Sequence, residues 1–180
     1  MKHIPNFLTI LRILAIPILI LIILSPIKQL NFFAFILFFL ISLTDYFDGF
    51  IARKMNLESD FGKMLDPIAD KLLITCCIIA LIIKDIIIGA TLIPAFIIIS
   101  REIFISGLRE FNASKKINNK INVSFLGKLK TSIQMISLTS LLLSLSFEGF
   151  QSYLLQFGLI SLWIAMILSL ISGYQYFKKA

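Results

Sequence analysis

Four aspartates stand at positions 45, 48, 66 and 70, with Gly49, Ala52, Arg53 and Gly62 among them. On a helix, residues three, four and seven apart share a face. That rule groups Asp45, Asp48 and Ala52 on one segment, and Asp66 and Asp70 on the next. Two helices joined by a short turn are antiparallel neighbours, so their acidic faces can meet. Four carboxylates gathered in one place cannot all stay ionised without cations. Asp45 and Asp48 are also expected near a helix C-terminus, where the dipole disfavours anions. A divalent metal resolves both conflicts. No Cys or His lies nearby, and the sole histidine, His3, reads as interfacial. Oxygen-only ligands select a hard cation, here Mg²⁺ or Mn²⁺.

A pair of such ions suits a diphosphate. Mg²⁺ binds through a few carboxylates plus substrate phosphates, and two ions can clamp the attacking and leaving oxygens of an in-line displacement. Gly49 and Gly62 let a ligand approach the backbone, and Arg53 can meet a phosphate with its planar fork. No protein nucleophile is required. Plainer readings exist for single residues. Asp66 before Pro67 suits a helix N-cap, Asp48-Gly49 an ordinary breaker, and Glu58 and Asp60 solvated loop charges. Capping does not account for Asp45, Asp48 and Asp70 together, and acids at membrane depth are rarely idle.

The elements that must position these residues follow from composition. Of 180 residues, 58% are hydrophobic and 15% charged, against about 45–50% and about 25% in soluble domains. The chain reads as one domain, residues 1–180, of an all-α integral membrane protein. Roughly 20 apolar residues cross a bilayer, and a helix is the economical way, because lipid cannot satisfy backbone groups. Six spans are predicted, over about 7–24, 30–51, 67–83, 86–108, 126–147 and 153–177. The first has no small-residue cleavage site after it and reads as an uncleaved helix rather than a signal peptide. Cys76 and Cys77 lie within the third span and read as small packing residues. The one substantial linker is about 111–123.

Loop charges set the orientation. With both termini cytoplasmic, fifteen Lys and Arg residues fall on the cytoplasmic side and only Lys28 and Lys84 on the other. That is a decisive positive-inside bias. It places all four aspartates at the cytoplasmic face. Most of the formal charge of +7 is therefore topology and requires no nucleic-acid partner.

The pattern Asp45-x2-Asp48-Gly49-x2-Ala52-Arg53-x8-Gly62-x3-Asp66-x3-Asp70 resembles the full signature of the CDP-alcohol phosphotransferase family. Eight fixed positions at fixed spacing make it specific. "IPNFLTILRILAIP" at 4–17, "SREIFISGLREF" at 100–111 and "GKLKTSIQM" at 127–135 look like the bacterial phosphatidylglycerophosphate synthase branch. The resemblance implies six transmembrane helices, a cytoplasm-facing polar cavity and a homodimer in the bacterial cytoplasmic membrane. It implies transfer of a phosphatidyl group from CDP-diacylglycerol to sn-glycerol 3-phosphate, with CMP as the leaving group. It further implies that Asp45, Asp48, Asp66 and Asp70 hold two metal ions and that Asp70 also serves as base. By the same resemblance, Gly49, Ala52 and Arg53 lie along the CDP moiety, with Gly62 close by.

The acceptor brings a phosphate dianion that needs its own cations. Between 101 and 130 there are seven basic residues and two acidic ones. Positive-inside loops beside anionic lipid account for most of these lysines. Arg101 and Arg109 differ, because they sit within an otherwise apolar helical end and share a face. Lys128 and Lys130 open the fifth span. Arg101, Arg109, Lys128 and Lys130 are the candidates for the acceptor phosphate, with Glu102 placed to orient an arginine. Asn6, Thr9 and Arg12 are candidates for the nucleotide pocket, with helix entry as the plainer role. Another acceptor (serine, inositol or phosphatidylglycerol) would use the same donor site. A prenyltransferase would space its acids differently, and a divalent-cation transporter would set them near the midplane on several helices.

Overall fold

The computed structural model describes the backbone of residues 4–55, 60–114 and 125–179, and the side chains of these residues apart from 4–8, 45–55, 60, 61, 63, 113, 114, 125 and 179. Six α-helices follow in order: α1 (Ile4–Leu24), α2 (Lys28–Met55), α3 (Asp60–Ile83), α4 (Leu92–Ser114), α5 (Phe125–Ser144) and α6 (Gln151–Lys179). Short 3₁₀ turns at Gly89–Thr91 and Glu148–Phe150 lead into α4 and α6. No strand occurs among the described residues.

The core is apolar, with Leu19, Ile23, Phe38, Leu73 and Leu81 fully buried, and the exterior is apolar as well. Leu14, Leu21, Phe96, Ile103 and Phe177 are each more than half exposed. Ser137, Ser140, Ser144, Ser161, Ser169 and Ser172 are buried. Small residues let helix backbones approach closely where no hydrophobic force drives them together, and their hydroxyls join helices. Ser137 donates to the Gly158 carbonyl at 2.8 Å and Ser140 to the Leu154 carbonyl at 2.7 Å. These contacts seam α5 to α6, the most extensive helix pair. A Cβ at Gly158 would lie 2.7 Å from Leu141 Cδ2 and 3.2 Å from the Leu141 backbone nitrogen, so glycine permits this approach. An apolar exterior, with serines buried at the helix contacts, is the arrangement of a helical membrane protein. The stretches Gly89–Asn112 and Glu148–Lys178 are by themselves long and apolar enough to cross a bilayer.

One end of the bundle is closed by loop contacts. Lys84 donates to the Ser25 carbonyl, Asn31 to the Leu145 carbonyl at 3.1 Å, and Lys28 to Glu148 at 2.9 Å. The Lys28 ammonium holds the Glu148 carboxyl below the usual carboxylate range. Both partners are largely exposed, and such pairs contribute little to stability. The helix α3 stops in a Schellman motif. Asp85 takes the left-handed conformation with φ 59°, its N–H bonds the Ile82 carbonyl at 3.0 Å, and that of Ile86 bonds the Leu81 carbonyl at 3.0 Å. Glycine usually fills that position, and aspartate tolerates it better than most residues.

Several predicted boundaries move. The fourth helix begins at Leu92 rather than 86, because the reversal through Asp85 occupies the interval. The second helix continues through Gly49 to Met55, so the breaker reading of Asp48-Gly49 does not hold. Asp45 and Asp48 are therefore more than one turn from its C-terminus, beyond the range of the dipole. The third helix begins at Asp60 and carries Pro67 inside it. Asp66 is thus a helical residue and not an N-cap, and Asp60 is not a loop charge. The linker predicted at 111–123 is helical as far as Ser114, and its remainder lies outside the described residues, as do His3 and Glu58.

Candidate active site

The end opposite the Lys28–Glu148 pair gathers the polar interior. Asp45, Asp48, Gly49, Ala52 and Arg53 belong to the last part of α2, and Asn6 to the first turn of α1. Their side chains lie outside the described residues. Those of Asp66 and Asp70 are described. They stand one turn apart on α3 and both meet α1. Thr9 donates to Asp66 Oδ1 at 2.7 Å, and Arg12 Nη1 pairs with Asp70 Oδ1 at 3.4 Å. Arg12 is buried, whereas the Asp70 side chain keeps 40% exposure. The two contacts advance together along α1 and α3, as parallel neighbouring helices require. They fix how the acids of α3 face the bundle. Gly62, two helical turns before Asp70, is buried in the same region.

A cavity of about 180 Å³ opens beside Asp70. Three helix faces make its walls. From α3 come Pro67, Asp70, Lys71 and Ile74, and from α4 Arg101, Glu102, Ile105, Ser106 and Arg109. The α5 wall is Gly127, Lys130, Thr131 and Gln134, each set spaced as one helical face. Lys130 donates to Glu102, and both are buried. Arg101 Nη1 stands 3.6 Å from Glu102. Its Nε and Nη2 reach the Ser169 carbonyl at 3.2 Å and Ser172 Oγ at 3.0 Å on α6. The Arg109 guanidinium carbon sits 5.2 Å from the centre of the Tyr176 ring, within cation–π range. Lys71 lies within electrostatic reach of Arg101, Glu102, Arg109 and Asp70. Two carboxylates, Asp70 and Glu102, thus line the cavity with four cations, Lys71, Arg101, Arg109 and Lys130, an excess of positive charge.

The predicted site residues separate clearly. Arg101, Arg109 and Lys130 meet in this cavity. Lys128 is exposed and is not among the lining residues. Glu102 does pair with an arginine, and also with Lys130. Thr9 and Arg12 stand against Asp66 and Asp70. The sequence reading missed Lys71, Ser106, Thr131 and Gln134 as lining residues. For Lys71 a signal existed, because it follows Asp70 directly and shares its helix end. For Gln134 the only signal was its seven-residue spacing from Gly127.

Whether a divalent cation fits can be judged from donor chemistry. The ionisable groups on this stretch of α3 that could bind a metal are carboxylates, and the acids of α2 add only more of them. Such a set suits Mg²⁺ or Mn²⁺ and not a thiolate- or imidazole-seeking ion.

The model of the CDP-alcohol phosphatidyltransferase family matches residues 2–171. Three curated relatives, all named CDP-diacylglycerol–glycerol-3-phosphate 3-phosphatidyltransferase, align over nearly full length. The protein of Rickettsia typhi is 48% identical, covering 99% of this chain and 97% of its own. That of Haemophilus influenzae is 39% identical, with 99% and 93% covered. That of Bacillus subtilis is 38% identical, with 99% and 95% covered.

Proposed function

Since the chain belongs to the CDP-alcohol phosphatidyltransferase family, we propose that it transfers a phosphatidyl group from CDP-diacylglycerol to sn-glycerol 3-phosphate, giving phosphatidylglycerophosphate and CMP. The observation that carries the acceptor assignment is the cavity. It is small, below the ~300–1,000 Å³ of sites for larger ligands, and Asp70 lines it together with Lys71, Arg101, Arg109 and Lys130. That combination suits a compact phosphorylated alcohol better than serine, inositol or a second lipid.

In this reading Asp45, Asp48, Asp66 and Asp70 hold two divalent cations, Mg²⁺ or Mn²⁺. When bound, these ions would neutralise the diphosphate and the departing CMP. Thr9 and Arg12 fix the α3 carboxylates from behind. Gly49, Ala52, Arg53 and Gly62, with Asn6 and Thr9, receive the CDP moiety. Arg101, Arg109 and Lys130 hold the acceptor phosphate, and Lys71 joins them, whereas Lys128, outside the cavity lining, takes no part. The acceptor hydroxyl oxygen bonds to the phosphatidyl phosphorus, the bond from that phosphorus to CMP breaks, and the hydroxyl proton passes to Asp70. The lipid tails stay in the bilayer while the diphosphate lies at its surface, which is why the acids sit at one end of the bundle. The protein acts as a single domain of six spans in the bacterial cytoplasmic membrane, both termini cytoplasmic, as a homodimer and without nucleic acid.

An acceptor panel tests this. Purified protein in mixed micelles is given CDP-diacylglycerol and Mg²⁺ with glycerol 3-phosphate, serine, inositol or phosphatidylglycerol in turn. Lipid product is expected with glycerol 3-phosphate alone. Product with any other acceptor at a comparable rate would reassign the cavity.

A further inference from the structure

Buried polar groups in folded proteins nearly always have hydrogen-bond partners, and each exception requires a cause. Gln134 is such an exception. It is 1% exposed, lines the acceptor cavity, and has no partner for Nε2 or for Oε1. Ser106 Oγ, also buried and without a partner, lines the same cavity from α4. The walls hold enough cations for a phosphate without either residue. Gln134 stands one helical turn beyond Lys130, about 6 Å further along α5, and so past the cation pair rather than among it.

The chemistry of the two orphaned atoms narrows their ligand. The amide offers a donor and an acceptor side by side. A phosphate dianion has only acceptors and would leave Oε1 unsatisfied. A hydroxyl both donates and accepts, and can satisfy either atom. Glycerol 3-phosphate carries two hydroxyls, one of which reacts beside Asp70. We propose that Gln134 recognises the other, the secondary hydroxyl at C2, and so sets the specificity of the acceptor site. This inference rests on the reading of the cavity as the glycerol 3-phosphate site. A site built to bond a substrate hydroxyl discriminates strongly against an analogue lacking it, because its own buried groups are then left unpaired.

The experiment compares two acceptors, glycerol 3-phosphate and its 2-deoxy analogue 3-hydroxypropyl phosphate, on wild-type protein and on Gln134→Leu and Gln134→Glu. The readout is the ratio of kcat/KM for the two acceptors, which a purely structural role of Gln134 would not move. Wild type is expected to prefer glycerol 3-phosphate at least about tenfold, within the roughly 5- to 150-fold expected for a buried group left unpaired. In Gln134→Leu the ratio falls towards one, mainly through a higher KM for glycerol 3-phosphate. Gln134→Glu keeps an acceptor and retains part of the preference. A wild-type enzyme that uses both acceptors equally overturns the proposal even if neither variant folds. So does a Gln134→Leu variant that keeps the wild-type ratio. Absence of lipid product from either acceptor would instead overturn the assignment of the reaction itself.

Discussion

Asp70 faces two ways. Arg12 holds one of its oxygens at 3.4 Å, and the residue also lines the cavity proposed for the acceptor. No histidine or cysteine is among the lining residues, and the base proposed above is Asp70. Asp70→Asn is nearly isosteric and is expected to lower kcat by at least about 10²-fold. Binding of CDP-diacylglycerol, measured on the same folded preparation, should persist. Turnover above a tenth of wild type would assign the proton elsewhere. Arg109 is a cleaner probe of the acceptor, since it is exposed and stacked on Tyr176 and not locked into the buried ion pairs. Arg109→Ala should raise KM for glycerol 3-phosphate by roughly 10- to 150-fold, the worth of a charge-assisted phosphate contact, and leave that for CDP-diacylglycerol nearly unmoved. A change confined to the CDP-diacylglycerol KM would put Arg109 in the donor site. That Asp70, Arg101, Arg109 and Lys130 come together at one cavity was legible in the sequence, because charge inside an apolar helix is conspicuous. Gln134 and Ser106 were not. An uncharged polar residue on a membrane helix is common, and its lack of a partner is a property of packing.

At the scale of elements, hydropathy located six helices and misjudged their ends. It senses the apolar stretch that lipid would cover, whereas α2 and α3 run past it as polar helix to Met55 and from Asp60. Pro67 suggested a helix start, yet α3 carries it internally and gives up one backbone bond there. The α5–α6 seam was also invisible, since nothing in the sequence singles out Gly158 from the other glycines. Its geometry makes a direct prediction. Gly158→Ala places a methyl against Leu141 and should lower stability by about 1–3 kcal/mol. Gly107→Ala on α4 meets nothing within 4 Å and should be neutral or slightly stabilising. Thermal unfolding of both variants in detergent checks the pair. Equal melting temperatures would mean that the seam yields without strain.

The whole molecule is one bundle with two different ends. The Lys28–Glu148 end is tied by loop contacts, while the other end collects the acids of α2 and α3 and the cations of α4 and α5. Under the proposed function, such a division would let a lipid nucleotide approach from the membrane and a water-soluble phosphate approach from solution. The chemistry there is expected to need divalent cations, because the α3 carboxylates would otherwise repel a diphosphate. The most direct test follows CMP release and phosphatidylglycerophosphate formation together, from purified protein, CDP-diacylglycerol and labelled glycerol 3-phosphate. The expected result is one CMP for each lipid formed, no CMP without acceptor, no reaction in excess chelator, and recovery on adding Mg²⁺ or Mn²⁺. Full turnover in chelator, or CMP released without glycerol 3-phosphate, would contradict it.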